Sequence, residues 1–203
     1  MRSRAVGITQ HLHADAVRVL TAWTPPEARQ ERLRADYLTH LATHPDGVAK
    51  AGPPAHLTAS ALVFDSQLER VLLTHHGKAR VWLQLGGHLE PEDASLYAAA
   101  QREIREESGL TGVRVIPTIA QLDRHALVGA FGHCREHLDV RFAAVVPAHS
   151  QDTVTMSAES IDLRWWPLEA LPEATSAEVG ALATACLAVL RRDPLAPEDS
   201  SLV

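Results

Sequence analysis

The stretch "LQLGGHLEPEDASLYAAAQREIREESGL", residues 83–110, ends in a segment crowded with carboxylates. Glu103, Glu106 and Glu107 lie within five residues, with Arg102 and Arg105 among them. The spacing predicts a helix from about Ala94 to Ser108, and Gly109 stands where a left-handed residue ends such a helix. Positions 103, 106 and 107 are then related by three and four residues, so their carboxylates project from one face. Like charges so placed repel by roughly 0.2–0.5 kcal/mol per exposed pair. Two readings are open. The residues pair with neighbouring cations on a solvated helix face, or they serve a divalent, oxygen-preferring ion. Mg²⁺, with Mn²⁺ as the alternative, binds one or two carboxylates, keeps water and takes phosphate oxygens. Gly86-Gly87 reads as a turn after the strand "VWLQL", and the Gly87 carbonyl could add a ligand because glycine permits close approach. Arg102, one turn before Glu106, is placed to orient a carboxylate.

Outward from this stretch, residues 9–23 place Leu12, Ala16, Val19, Leu20 and Trp23 at helical spacing. Thr24 and Pro25 read as the cap and first residue of a second helix, with Leu33, Tyr37, Leu38 and Leu41 on one face. "HPDGVAKAGPP" (44–54) is a linker. "HLTASALVF", "RVLLTHH", "VRVIPTIAQLD", "LDVRFAAVV" and "IDLRWWPL" read as further strands, and "SAEVGALATACLAVLRR" as a C-terminal amphipathic helix. Strands and helices do not alternate regularly, which predicts an α+β fold with a mixed sheet clasped by helices. The division expected is a helical extension over 1–50, a main domain over 51–192 and a tail over 193–203. The extension would shape a pocket, mediate a homodimer or cap the sheet.

The formal net charge of −6, from 19 basic and 25 acidic residues, gives no electrostatic reason to expect nucleic acid. A small anionic substrate would need local positive charge. Cys134 and Cys186 match no metal or redox spacing and suggest reduced thiols in a cytoplasm. No apolar run approaches the ~18 residues of a membrane span, and the N-terminus lacks a signal-peptide core. A soluble, cytoplasmic protein with no membrane partner is expected.

The stretch from Gly87 to Leu110 resembles the signature of the Nudix hydrolases, G-x5-E-x7-R-E-U-x-E-E-x-G-U, with U an apolar residue. Arg102, Glu103, Ile104, Glu106, Glu107, Gly109 and Leu110 match its second half. The first half departs: Asp93 stands where Glu is usual, and eight residues rather than seven separate it from Arg102. Glu90 and Glu92 are rivals for that position. The wider resemblance runs from about Thr58 to Leu171. It implies a Nudix-type α/β/α sandwich and hydrolysis of a nucleoside diphosphate linked to another group. It also implies that Glu103, Glu106 and Glu107 bind divalent metal and that Arg102 orients one of them. The general base in that family is a glutamate of the signature or of a later loop. Glu159 is the loop residue singled out here, against a plain surface acid, with Glu103 the alternative. A non-catalytic nucleotide-binding module and an isoprenoid diphosphate isomerase on the same fold are the competing functions. The latter pairs a Cys with a Glu, for which neither Cys134 nor Cys186 is well placed.

Pocket residues are weighed against structural roles. Trp82 lies near the site mouth or in the core, and at most one of Trp165 and Trp166 faces a pocket. His88 contacts phosphate or is merely exposed. His137, Asp139 and Arg141 share one strand face, lining either a pocket or solvent. Arg80 and Lys78 offer positive charge for phosphates from a loop. His75-His76 and His133-Cys134 have no partners that complete a tetrahedral zinc set and are set aside.

Overall fold

Alternate apolar side chains of Ala55–Phe64 (β1) serve both faces of a sheet, and the strand is buried along nearly its whole length. In this computed structural model, which describes residues 9–127, 132–150, 154–158 and 160–192, β1 is central. It runs parallel to β6 (Glu136–Val145), in register from Ala55 with Glu136 to Phe64 with Val145. Its other edge pairs antiparallel with β4 (Leu85–His88) and then with β2 (Arg70–His76). β2 also pairs with β3 (Trp82–Leu83) and β7 (Ser160–Pro167), and β5 (Arg114–Ala126) closes the far side against β6. The result is a seven-stranded mixed sheet.

Helices cover both faces. Leu57, Ala59, Ala61 and Val63 pack with α1 (Gln10–Ala22), α2 (Ala28–Thr43) and α3 (Leu96–Ser108). Leu62 and Phe64, on the opposite face, pack with α4 (Glu178–Leu190). This is the α/β/α sandwich expected. No helix among the described residues is long and apolar enough to cross a membrane.

The N-terminal helices share the larger core, with Leu12, Ala16, Leu20, Tyr37 and Leu41 fully buried. They also satisfy backbone groups of the sheet and of the signature segment. The Gln30 side chain accepts from Leu122 N and donates to Leu122 O, at 2.7 and 3.0 Å, on the edge strand β5. His11 Nε2 donates to the Asp93 carbonyl at 2.8 Å, and Asp15 Oδ2 accepts from Leu96 N at 2.9 Å.

Local expectations are corrected at three places. Gly86 and Gly87 are not a turn but part of β4, paired with Ser60 and Ala59. Helix α2 starts at Ala28 after an extended Glu27, not at Pro25. Pro26 pushes the residue before it out of the helical region, so the predicted start cannot form. Helix α3 starts at Leu96 rather than Ala94, capped by Ser95 Oγ, which accepts from Ala98 N at 3.2 Å. It stops at Gly109, whose φ of 67° is left-handed, as expected.

Candidate active site

Helix α3 is amphipathic: Leu96, Ala99, Ala100 and Ile104 are buried under the sheet, and the carboxylates emerge beside β4. A methyl group at Gly87 would lie only 2.6 Å from Glu103 Oε1, so the missing side chain is what admits the Glu103 carboxylate. Gly86 N donates to Glu107 Oε2 at 3.1 Å. Glu103 and Glu107 are thus held against the strand, while Glu106 is half exposed next to them. Burial raises the Glu103 carboxyl above the ordinary glutamate range; Arg102 opposes that shift, and the charges of Glu106 and Glu90 add to it.

Arg102 ties the cluster together. Its Nη1 donates to Glu103 Oε1 and to Glu106 Oε2, both at 3.0 Å, and its Nη2 donates to the His88 carbonyl at 2.9 Å. Its other contacts go to Asp93, with Nε to Oδ1 and Nη2 to Oδ2 at 2.9 Å each. Among the three acids considered for that position, Asp93 is the buried one; Glu90 stands 3.8 Å from Arg102 Nε and Glu92 is exposed. The extra residue is absorbed before the helix, where Glu90 N donates to Asp93 Oδ2 at 2.8 Å and Asp93 N to Glu90 O at 3.0 Å. A cluster of three like-charged carboxylates, one of them backed by a glycine, suits a hard, oxygen-preferring divalent cation.

The expected pocket residues fare differently. Trp82 is 8% exposed, stacked on His75 at 5.2 Å and edge-on to Trp166 at 5.3 Å, so it belongs to the α4-side core and not to a site mouth. Trp165 packs on the opposite core with Arg70 over its ring. Asp139 and Arg141 do not face solvent: both are buried, and their hydrogen bonds are spent within the fold. Arg141 donates to Asp139, Asp123 and Gln121 at 2.8–3.0 Å, and Asp139 accepts further bonds from Thr58, Ser60 and Gln84. Arg80 and Lys78 are exposed in the loop before β3, Arg80 with a left-handed φ of 60°. Glu159 lies outside the described residues. Its neighbours Thr155 and Ser157 donate backbone bonds to Ser108 and Glu107 at the end of α3.

His88 and His137 turn toward each other on the sheet face opposite α3, and there they meet His56 and Cys134. One ligand-type atom from each of these four residues lies within 4.8 Å of all the others. Cys134 therefore has partners after all, although His133 does not join them and bonds the Gly52 carbonyl instead. Burial, with Lys50 and the other imidazoles adding, pulls His88 down to about 3. Burial, with His125 and His56 adding, pulls His137 to about 4. Cys134 and His137 stand in a Cys-x2-His spacing that marks half of the set, but sequence reasoning missed the cluster because His56 and His88 come from separate strands, far from it along the chain.

The NUDIX domain family model matches residues 54–184. The MutT protein from Methanosarcina mazei Go1 is 23% identical and superposes with a TM-score of 0.54, over 70% of this chain and 98% of its own. An Ap4A hydrolase from C. elegans is 21% identical with a TM-score of 0.52, over 66% of this chain and 97% of its own. These two establish a common fold. No curated protein matches the sequence.

Proposed function

Since the chain belongs to the NUDIX domain family, we propose that it is a divalent-metal-dependent hydrolase cleaving a diphosphate linkage in a nucleotide or nucleotide-like small molecule. The observation that carries this reading is the Arg102-centred cluster, in which Glu103 and Glu106 share one guanidinium and Glu103 is backed by Gly87. Glu103, Glu106 and Glu107, with the Gly87 carbonyl, would hold Mg²⁺ or Mn²⁺. When bound, the ion neutralises the diphosphate and lowers the pKa of a coordinated water. The protein's own part is preorganisation. Asp93 and the His88 carbonyl fix Arg102, and Arg102 fixes the two carboxylates, so little reorganisation accompanies reaction. Arg80 and Lys78 supply exposed positive charge for phosphate oxygens. Glu159 and Glu103 are the two carboxylates proposed as general base, accepting the proton of the attacking water.

A phosphate-release screen over nucleoside triphosphates, nucleotide sugars, ADP-ribose and non-nucleotide diphosphates, with Mg²⁺ or Mn²⁺, tests the reading. Wild type should act on at least one class, and Glu106→Gln should lose on the order of 10²-fold or more of that activity. Equal activity, or equal inertness, of the two proteins on every compound would sink it. Glu159→Gln and Glu103→Gln, compared on the same substrate, assign the base.

A further inference from the structure

We propose that His56, His88, Cys134 and His137 form a tetrahedral site for one zinc-class transition-metal ion, on the sheet face opposite the carboxylate helix. The backbone builds it. His56 and His137 are register partners on the adjacent parallel strands β1 and β6, and His88 pairs with Thr58 on the other edge of β1. Three neighbouring strands therefore present three imidazoles to one face, with ring centroids 5.0–5.3 Å apart. Cys134 reaches them from the residues just before β6, a segment pinned by Arg135 N and Glu136 N donating to the Pro54 carbonyl.

The hydrogen bonds point to a ligand. His56 Nδ1 lies 2.9 Å from the Pro53 carbonyl and must donate to it, which leaves Nε2 as a bare lone pair. His56 is fully buried, and its Nε2 has no hydrogen-bond partner; His137 Nε2 is buried and unpartnered as well. Metal-ligating histidines commonly give their second ring N–H to a backbone carbonyl in this way, which fixes the tautomer and the ring orientation. Tetrahedral zinc with Zn–N near 2.05 Å and Zn–S near 2.3 Å sets N···N at about 3.3 Å and N···S at about 3.6 Å. Cys134 Sγ lies 3.6 Å from His88 Nε2, and all four donor atoms fall within 4.8 Å of one another. A small inward adjustment of the rings completes the set.

The donor chemistry separates this site from the carboxylate helix. One sulfur and three imidazole nitrogens favour Zn²⁺ over Mg²⁺, whereas the α3 carboxylates favour the harder ion. Four protein ligands leave no open position, so the ion's role is structural: it joins β1, β4, β6 and the Cys134 loop. Binding exchanges the ion's water ligands for three imidazole nitrogens and the Cys134 thiolate, replaces the Cys134–His88 hydrogen bond, and releases the thiol proton to solvent. One consequence reaches the active site. The His88 carbonyl accepts from Arg102, so an ion that holds the His88 ring also steadies the strand on which Arg102 rests.

The test uses the full chain, stripped of metal and titrated with Co²⁺ as a spectroscopic probe, with elemental analysis for zinc on the protein as purified. The expected result is one equivalent of tightly bound, tetrahedral ion, with any cobalt on the α3 carboxylates weaker and octahedral. Bound cobalt should show intense visible bands of tetrahedral geometry and a thiolate charge-transfer band in the near ultraviolet. Cys134→Ser should abolish the charge-transfer band, and His137→Gln should weaken binding 100-fold or more, with circular dichroism confirming that each variant is folded. Glu106→Gln should leave the spectrum unchanged, which separates this site from the proposed hydrolase centre. Wild type that takes up no cobalt, shows only weak octahedral bands, or keeps its spectrum in Cys134→Ser overturns the proposal. Because the wild-type spectrum decides first, a variant that fails to fold does not rescue it.

Discussion

Asp93 and Arg102 meet as a two-point pair across nine residues, with Nε on Oδ1 and Nη2 on Oδ2 at 2.9 Å each. The carboxylate lies almost wholly out of solvent, and the Asp93 backbone carbonyl is held by His11 of α1. A bidentate fork of this kind fixes the plane of the guanidinium, and the remaining Arg102 N–H groups are then aimed at Glu103 and Glu106. A residue outside the carboxylate helix therefore decides how two of its carboxylates are presented.

Asp93→Asn keeps the shape and removes the charge. Hydrolysis should fall about 10–100-fold, as for other groups that act through a ligand's partner. Stability should drop by about 2 kcal/mol, the scale of a hydrogen bond to a charged group. Steady-state kinetics and urea unfolding measure the two effects; unchanged kinetics would show that Arg102 is held well enough by its other acceptors.

Gly87→Ala places a methyl only 2.6 Å from Glu103 Oε1, closer than the two atoms can pack. The carboxylate must swing away, so activity should fall on the order of 10-fold or more, since an ångström of misplacement costs at least that. The melting temperature should move far less. Wild-type turnover in this variant would mean that the Glu103 position is not used.

Asp15→Ala removes the acceptor for Leu96 N at the start of α3. Loss of such a cap costs about 1 kcal/mol. Thermal unfolding of the full chain should report this drop; no change would mean that water or Ser95 replaces the bond at no cost.

Tyr37 predicts an alkaline dependence. Burial, with Asp139 and Asp123 adding and Arg141 and Arg124 opposing, raises its phenol well above the usual tyrosine value. The folded state thus favours the neutral form, while the unfolded chain ionises near pH ~10. The resulting stabilisation is complete below that pH and is lost as pH climbs from there through the folded value. Tyr37→Phe should lose about 1 kcal/mol at neutral pH, because its hydroxyl donates to the Asp123 carbonyl at 2.6 Å. It should also show a shallower decline above pH ~10 in denaturant titrations. Parallel declines would reject the assignment.

The carboxylate face of α3 was legible because three residues at helical spacing must share a side whatever surrounds them. The apolar faces of α1 and α2 were legible for the same reason, and the stop at Gly109 because glycine takes a left-handed φ without steric cost. Gly86-Gly87 was misread as a turn because glycine signals flexibility without saying whether a neighbouring strand takes up its hydrogen bonds. His137, Asp139 and Arg141 were rightly placed on one strand face, but not the partners that bury them. Trp82 illustrates the same limit: proximity to the signature in sequence did not tell which side of the sheet its ring would take.

By itself, then, the sequence determined which residues share each face of a helix or strand, since periodicity along one element is set within that element. Only the tertiary structure decided that Asp93, rather than Glu90 or Glu92, grips Arg102, and that His56, His88, Cys134 and His137 converge. Those meetings depend on strand register and on where a loop is pinned, and a one-residue slip of β1 against β6 would turn His56 to the opposite face from His137.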